Sequence, residues 1–144
     1  MARVLEEVTD SEIDQQHIAK RVDDWVDRIE KLYGQLEKWL PEGWTADRAG
    51  TVRMHEQLMQ TSGVSPRDLP VLRLSHRNKP SVRIEPRGLW IIGVNGRLDL
   101  FRGKDQFIII DTAENFDPPN WQIAPISDRS RLQRLSRQSF IDVL

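Results

Sequence analysis

Residues 17–40, HIAKRVDDWVDRIEKLYGQLEKWL, place seven apolar side chains on an unbroken 4,3,4,3,4,3 spacing: Ile18, Val22, Trp25, Ile29, Leu32, Leu36 and Trp39. Such a stripe lies along one face of a helix and must be laid against another surface, either a second copy of itself or the rest of its own domain. Burying seven side chains of this kind contributes roughly 10–20 kcal/mol before conformational entropy is set against it. Val26, Tyr33 and Leu40 widen the stripe on one side, and Trp25 and Trp39 are bulky for a tight dimeric coil. Only three heptads are sustained, so the pattern suits packing within a larger interface.

Working outward, Thr9 and Glu12 form a capping box ahead of the seam, and Pro41 with Gly43 closes the helix after Leu40, which predicts a first helix over about 11–40. A second helix is expected from Thr45 or Asp47 to Gly63, carrying Val52, His55, Leu58 and Met59 on one side. After Pro66 and Pro70 the pattern becomes β-rich: Val71 to His76, Ser81 to Glu85, and Leu89 to Val94. Asn95-Gly96 suits both central positions of a type I′ turn and predicts a hairpin with Val94 opposite Arg97 and Trp90 opposite Phe101. A second tight turn at Gly103-Lys104 sets Arg102 opposite Asp105 and leads into a strand over Gln106 to Ile110.

Parity then assigns Leu89, Ile91, Leu98, Leu100, Phe107 and Ile109 to one face. Trp90, Ile92, Val94, Phe101, Ile108 and Ile110 fall on the other, with Arg97 and Asp99. Two largely apolar faces call for two covers, for which the chain offers the first helix and a C-terminal helix; a partner subunit could replace either. That last helix, from Arg129 to about Val143, carries Leu132, Leu135, Phe140 and Val143 on one side. Asp111 to Asn120 reads as an exposed loop of the kind that carries function, before a strand over Trp121 to Ile126. The expected fold is α+β in one domain over residues 1–144: a helical part over about 10–63, an antiparallel β-meander of about five strands over about 70–126, and a C-terminal helix over about 128–143.

With 144 residues, 38% hydrophobic and 30% charged, the chain is long enough for a core without metal or disulfide staples. No long apolar run suggests a membrane span, no secretory signal is visible at the start, and the absence of cysteine fits a reducing compartment, so a cytoplasmic location is expected. The net charge of −1 conceals an asymmetry, since residues 1–60 carry 8 basic against 13 acidic side chains and residues 61–144 carry 13 against 9. Eleven of those thirteen bases are arginine. The plain reading is that an acidic helix and a basic sheet complement one another, within the chain or head to tail.

Catalytic and metal motifs are wanting. His55-Glu56 has Met59 where a helical zinc-protease site needs its second histidine, and no nucleophile elbow or phosphate-binding loop is present. Gly96-Arg97-Leu98-Asp99 followed by Ile108-Ile109-Ile110-Asp111-Thr112-Ala113 faintly resembles the metal-binding hairpin of restriction-endonuclease-like nucleases, with Glu85 as a third carboxylate. That resemblance implies metal-assisted phosphodiester cleavage. Ala113 stands where the family has lysine, and parity sets Asp99 and Asp111 on opposite faces, so a nuclease-like domain here is a degenerate one. A basic patch of Arg73, His76, Arg77, Lys79 and Arg83, joined by Arg131, Arg134 and Arg137, supports an alternative as a nucleic-acid-binding protein, although stacking aromatics are missing from it.

No feature names a substrate, a cofactor or a reaction. Surplus apolar surface and complementary charge point to a non-catalytic protein-interaction or assembly module that associates with itself or with another protein, without a membrane, metal or cofactor. Its expected anchors are Trp25, Ile29, Leu32, Tyr33, Leu36 and Trp39.

Overall fold

A computed structural model describes the backbone of residues 2–144 and the side chains of residues 14–144. The first helix, α1 (Ala2–Trp39), starts well before Thr9, so that residue lies inside it; the side chains of the expected capping box fall outside the described residues. Its 38 residues make a rod of about 57 Å, which Pro41 and Gly43 (φ +91°) end.

The chain continues through β1 (Trp44–Asp47), β2 (Thr51–Met54), a short α2 (Gln57–Thr61), β3 (Arg67–Pro70), β4 (Leu72–His76) and β5 (Lys79–Gly88). Then follow β6 (Arg97–Arg102), β7 (Asp105–Asp111), β8 (Trp121–Pro125), a single 3-10 turn at Arg129–Arg131, β9 (Gln133–Arg134) and α3 (Arg137–Ile141). Seven strands form one antiparallel sheet in the order β1-β4-β5-β6-β7-β8-β9, and β2 pairs with β3 in a second small sheet. The fold is therefore α+β, with a long N-terminal helix, a small second helix, antiparallel sheet and a C-terminal helix.

The seam meets the inner face of the large sheet. Val22, Trp25, Ile29, Tyr33 and Leu36 are completely buried, as are Leu72, Leu74, Ile84, Leu98, Leu100 and Ile109 across from them. Tyr33 anchors this packing by donating from its hydroxyl to the carbonyls of Pro70 (2.8 Å) and Ile84 (3.2 Å). Burial raises its pKa well above the ordinary tyrosine value.

Four local expectations are corrected. Residues 45–54 form two strands instead of a helix: β1 pairs with β4 (Ala46 opposite Leu74) and β2 with β3 (Val52 opposite Leu69), leaving only a five-residue helix before Gly63. Asn95-Gly96 does not close a hairpin, because β6 takes β5 as its partner, with Ile84 opposite Leu100, and residues 89–96 become a loop. The helix expected over 129–143 is interrupted where Gln133 and Arg134 pair with β8, and it restarts at Ser136, whose side chain forms a capping box with Ser139. Finally, the C-terminal segment does not cover the second sheet face, since α3 packs on α1, with Phe140 beside Trp39. On that outer face arginines lie over the apolar surface instead: Arg83 stacks on Phe101 at 4.7 Å and pairs with Glu85, and Arg97 pairs with Asp99.

The register of β6 and β7 is as expected, with Arg102 opposite Asp105 around Gly103 (φ +55°) and Leu98 opposite Ile109 on the buried face. Asp111 is followed by the expected loop, and the next strand begins at Trp121.

Candidate functional site

Two loops, residues 89–96 and 112–120, reach back over α1 and are held there by charges buried in a way that surface loops seldom need. Arg28 on α1 donates through Nη1 to Asp111 Oδ2 (2.7 Å), through Nε to Asp24 Oδ2 (2.6 Å) and through Nη2 to the carbonyl of Asp117. Both Arg28 and Asp111 are buried. The other oxygen of Asp111 accepts from the amides of Ala113 and Asn120, each at 2.9 Å, and so folds the second loop about its own side chain. One helical repeat earlier, Arg21 donates to Asn95 Oδ1 (2.8 Å) and lies 5.8 Å over the ring of Trp90. Burial lowers the pKa of Arg21, nearby Asp24 acts in the opposite direction, and Arg28 lowers it further.

The loops are also tied to one another. Asn95 N donates to the Asp111 carbonyl (2.7 Å), Asp111 N donates to the Gly96 carbonyl (3.1 Å), and Asn95 Nδ2 reaches the Glu114 carbonyl at 3.4 Å. Gly96, at φ +110°, lies so close to Trp25 that a Cβ there would stand 2.3 Å from Cζ3. Glu56, just ahead of α2, accepts from the amides of Leu89 (2.9 Å) and Trp90 (3.2 Å) and fixes the start of the first loop.

This scaffold holds apolar side chains in water. Ile92, at the tip of the first loop, is fully exposed, at 102% of its reference area. Phe116 in the second is half exposed, with φ +67°, a strained conformation for an aromatic residue, and meets His17 of α1 edge-on at 6.1 Å. The side chains of Asp14 to His17 are exposed where α1 runs past the loops.

The residues singled out in the sequence fall elsewhere. Trp25, Ile29, Leu32, Tyr33 and Leu36 are buried beneath the chain's own sheet, and Trp39 is packed against Phe140, so an interface made from the seam would require α1 to leave the sheet. The basic residues do not converge. Arg73, His76, Lys79 and Arg83 sit on β4 and β5, with Arg77 in the turn between them. Arg134 is on β9, Arg131 in the 3-10 turn and Arg137 at the start of α3. Four strand spacings from β5 to β9 separate the groups by about 19 Å. His76 is engaged locally, packed at a tilt against Trp44 with ring centroids 5.2 Å apart and accepting from Asn78 N through Nδ1.

Asp99 and Asp111 lie on opposite faces, as register requires, and each is committed to an arginine. Among the described residues no group of three His, Asp or Glu side chains is arranged to hold a metal. The arginines that organise the loops went unnoticed in the sequence, where their signal is their spacing: Arg21 and Arg28 are seven apart and flank the seam beside Trp25. Among the described residues, no helix is long and apolar enough to cross a membrane. Comparison with known protein families, curated proteins and solved structures gives no match for this chain.

Proposed function

We propose that this chain is a non-catalytic assembly module that associates with a second copy of itself through the two-loop platform beside α1. The observation that carries the reading is the fully exposed Ile92 beside a buried polar scaffold that fixes its loop. Ordering a loop with buried arginines costs desolvation, and presenting an isoleucine to water returns nothing to the isolated chain. A contact made by Ile92 and Phe116 would bury apolar surface that the isolated chain leaves in water.

A second copy supplies a fitting occupant. Upstream of the loops α1 continues to Ala2, and Val4 and Val8 fall on the same 4,3 spacing as the seam, reached from Ile18 through Gln15 and Ser11. A helical segment with apolar positions at that spacing is the kind of element that docks on an apolar platform. Two copies exchanging these segments would make the same contact twice, the closed arrangement that dimers favour. The reading keeps self-association but moves it from the seam to the platform, since the seam packs within the chain.

The test is absolute mass by light scattering across protein concentration for the native chain and for Ile92→Asp with Phe116→Asp. Losing two apolar anchors, at about 1.5–3 kcal/mol each, should weaken a dimer by at least a hundredfold while leaving the melting temperature of the protomer nearly unchanged. A native chain that stays monomeric at high concentration refutes the proposal, as does a dimer indifferent to both substitutions. Steep salt-dependent binding to nucleic acid would favour the alternative reading, which the separation of the two basic groups leaves with less support.

A further inference from the structure

The sequence holds one Asp-Pro pair, Asp117-Pro118, and it lies in the exposed loop after β7. Of the ordinary peptide bonds this is the one most prone to break from within. The aspartyl carboxyl can close on its own carbonyl carbon as a five-membered ring, by rotation about its Cα–Cβ bond alone, and the tertiary nitrogen of proline leaves more readily than a secondary amide. In most chains the bond nevertheless lasts, because nothing is placed to stabilise the oxyanion that the attack creates. Here a guanidinium is aimed at it: Arg28 Nη2 donates to the Asp117 carbonyl oxygen, the atom on which that charge develops.

Arg28 is fixed in a way that a surface arginine is not. It is 3% exposed, and its Nε and Nη1 are held on Asp24 at 2.6 Å and Asp111 at 2.7 Å, which leaves Nη2 for the loop carbonyl. The two carboxylates offset its charge, so what it offers that carbonyl is a preorganised, charge-assisted hydrogen bond more than a free charge. The scissile bond is constrained on both sides. Phe116 stands at φ +67°, Asp117 N donates to the Glu114 carbonyl (3.2 Å), and the rings of Pro118 and Pro119 fix their φ. The Asp117 carboxylate makes no ion pair among the described residues, so no partner has to be given up when it turns onto its own carbonyl.

We propose that the chain cuts itself between Asp117 and Pro118. The protonated Asp117 carboxyl adds to its own main-chain carbonyl, forming a C–O bond, while Arg28 Nη2 holds the oxyanion. The C–N bond then breaks and the carboxyl proton passes to the proline nitrogen. The cyclic anhydride left at Asp117 takes up one water and opens to two carboxyls. The products are residues 1–117 and 118–144, the second carrying β8, β9 and α3. The cut needs one copy of the chain and does not depend on self-association.

The test is incubation of the purified full-length chain at about pH 5, where some carboxyls carry a proton, with the fold followed by circular dichroism and the products by mass spectrometry. The expected fragments are 1–117 and 118–144, whose masses sum to that of the chain plus one water. They should form at least about tenfold faster than from the same protein unfolded in urea at that pH. Asp117→Asn should stop the cut, and Asp117→Glu, which needs a six-membered ring, should slow it at least about tenfold, both at an exposed position. Arg28→Lys keeps a cation for Asp111 but loses the fork that reaches the carbonyl, and should also slow it at least about tenfold. If that variant does not fold, the folded-against-unfolded comparison and the Asp117 variants decide. An intact folded chain, a rate no faster folded than unfolded, cleavage that persists in Asp117→Asn, or a folded Arg28→Lys that cuts at the native rate overturns the proposal.

Discussion

Asp111→Ala should be among the most destabilising single substitutions in this chain, and its cost can be worked from the contacts. The carboxylate is fully buried and accepts from Arg28 Nη1 at 2.7 Å and from the amides of Ala113 and Asn120 at 2.9 Å. Removing it leaves Arg28 buried with Asp24 as its remaining carboxylate and deprives two loop amides of their acceptor. Breaking a buried pair costs about 3–5 kcal/mol, and the orphaned amides fall within that total once the loop relaxes toward water. At about 2–4 °C per kcal/mol for a chain near this size, the melting temperature should fall by roughly 6–20 °C. Guanidinium unfolding followed by circular dichroism measures the change, and amide hydrogen exchange at Ala113 and Asn120 locates it. In an Arg28→Met background the same substitution should cost only about 1–3 kcal/mol, because no buried cation is then left with a lost partner; the coupling is about 2 kcal/mol. A cost below about 1 kcal/mol, or one that is equal with and without Arg28, would show that the pair does not hold the loop.

Further outcomes follow from neighbouring contacts. Gly96→Ala should lose about 2–5 kcal/mol in the same unfolding assay, since its Cβ meets the Trp25 ring at 2.3 Å and its φ of +110° is unfavourable for any side chain; a smaller cost would mean that the ring gives way. Tyr33→Phe removes a hydroxyl that bonds the Pro70 and Ile84 carbonyls and should cost about 1–2 kcal/mol by denaturant titration. The native chain should also lose stability as pH rises above about 10: unfolded tyrosine then releases its proton while Tyr33, with its raised pKa, keeps it, so the native state binds more protons. That part of the alkaline slope should vanish in Tyr33→Phe, and an unchanged slope would place its origin elsewhere. Arg134→Gln should leave melting unchanged within about 0.5 kcal/mol, because the side chain is exposed on an edge strand and makes no ion pair among the described residues.

The parts of the fold legible in the sequence are those where a local period and a burial demand agree. The 18–39 seam lay on the buried face because seven apolar residues at helical spacing leave little choice, and Leu98, Leu100 and Ile109 did so because parity through the Gly103-Lys104 turn ties one strand to the next. Residues 44–54 were misread for the opposite reason. Strands of four residues have too few alternations to outweigh a chance helical stripe, and what decides them is pairing with residues 67–76, which no local pattern announces. At Asn95-Gly96 the turn chemistry is real, as Gly96 does adopt positive φ, but the ladder from Val82 opposite Arg102 to Pro86 opposite Leu98 occupies the edge that a hairpin would have used. Tertiary pairing then converts a predicted strand, Leu89 to Val94, into a loop.

That conversion is what makes the candidate site hard to foresee. In a strand, Ile92 would have shared a covered face with Trp90 and Val94; in a loop pinned at Glu56, Arg21 and Asn95 it points to water. The arginines that pin it look, in the sequence, like the solvated flank of an amphipathic helix, since burial of a guanidinium depends on the loops that arrive more than sixty residues later. Asp111 was visible as the start of a loop, yet its role as the centre of that loop follows only from Arg28 on a distant helix. The apolar seam thus fixes where α1 lies, while the polar residues beside it fix which side chains the loops leave exposed, the surface through which association is proposed. Exchanging Arg21 or Arg28 should therefore alter association as well as stability, whereas exchanging seam residues should act on stability first.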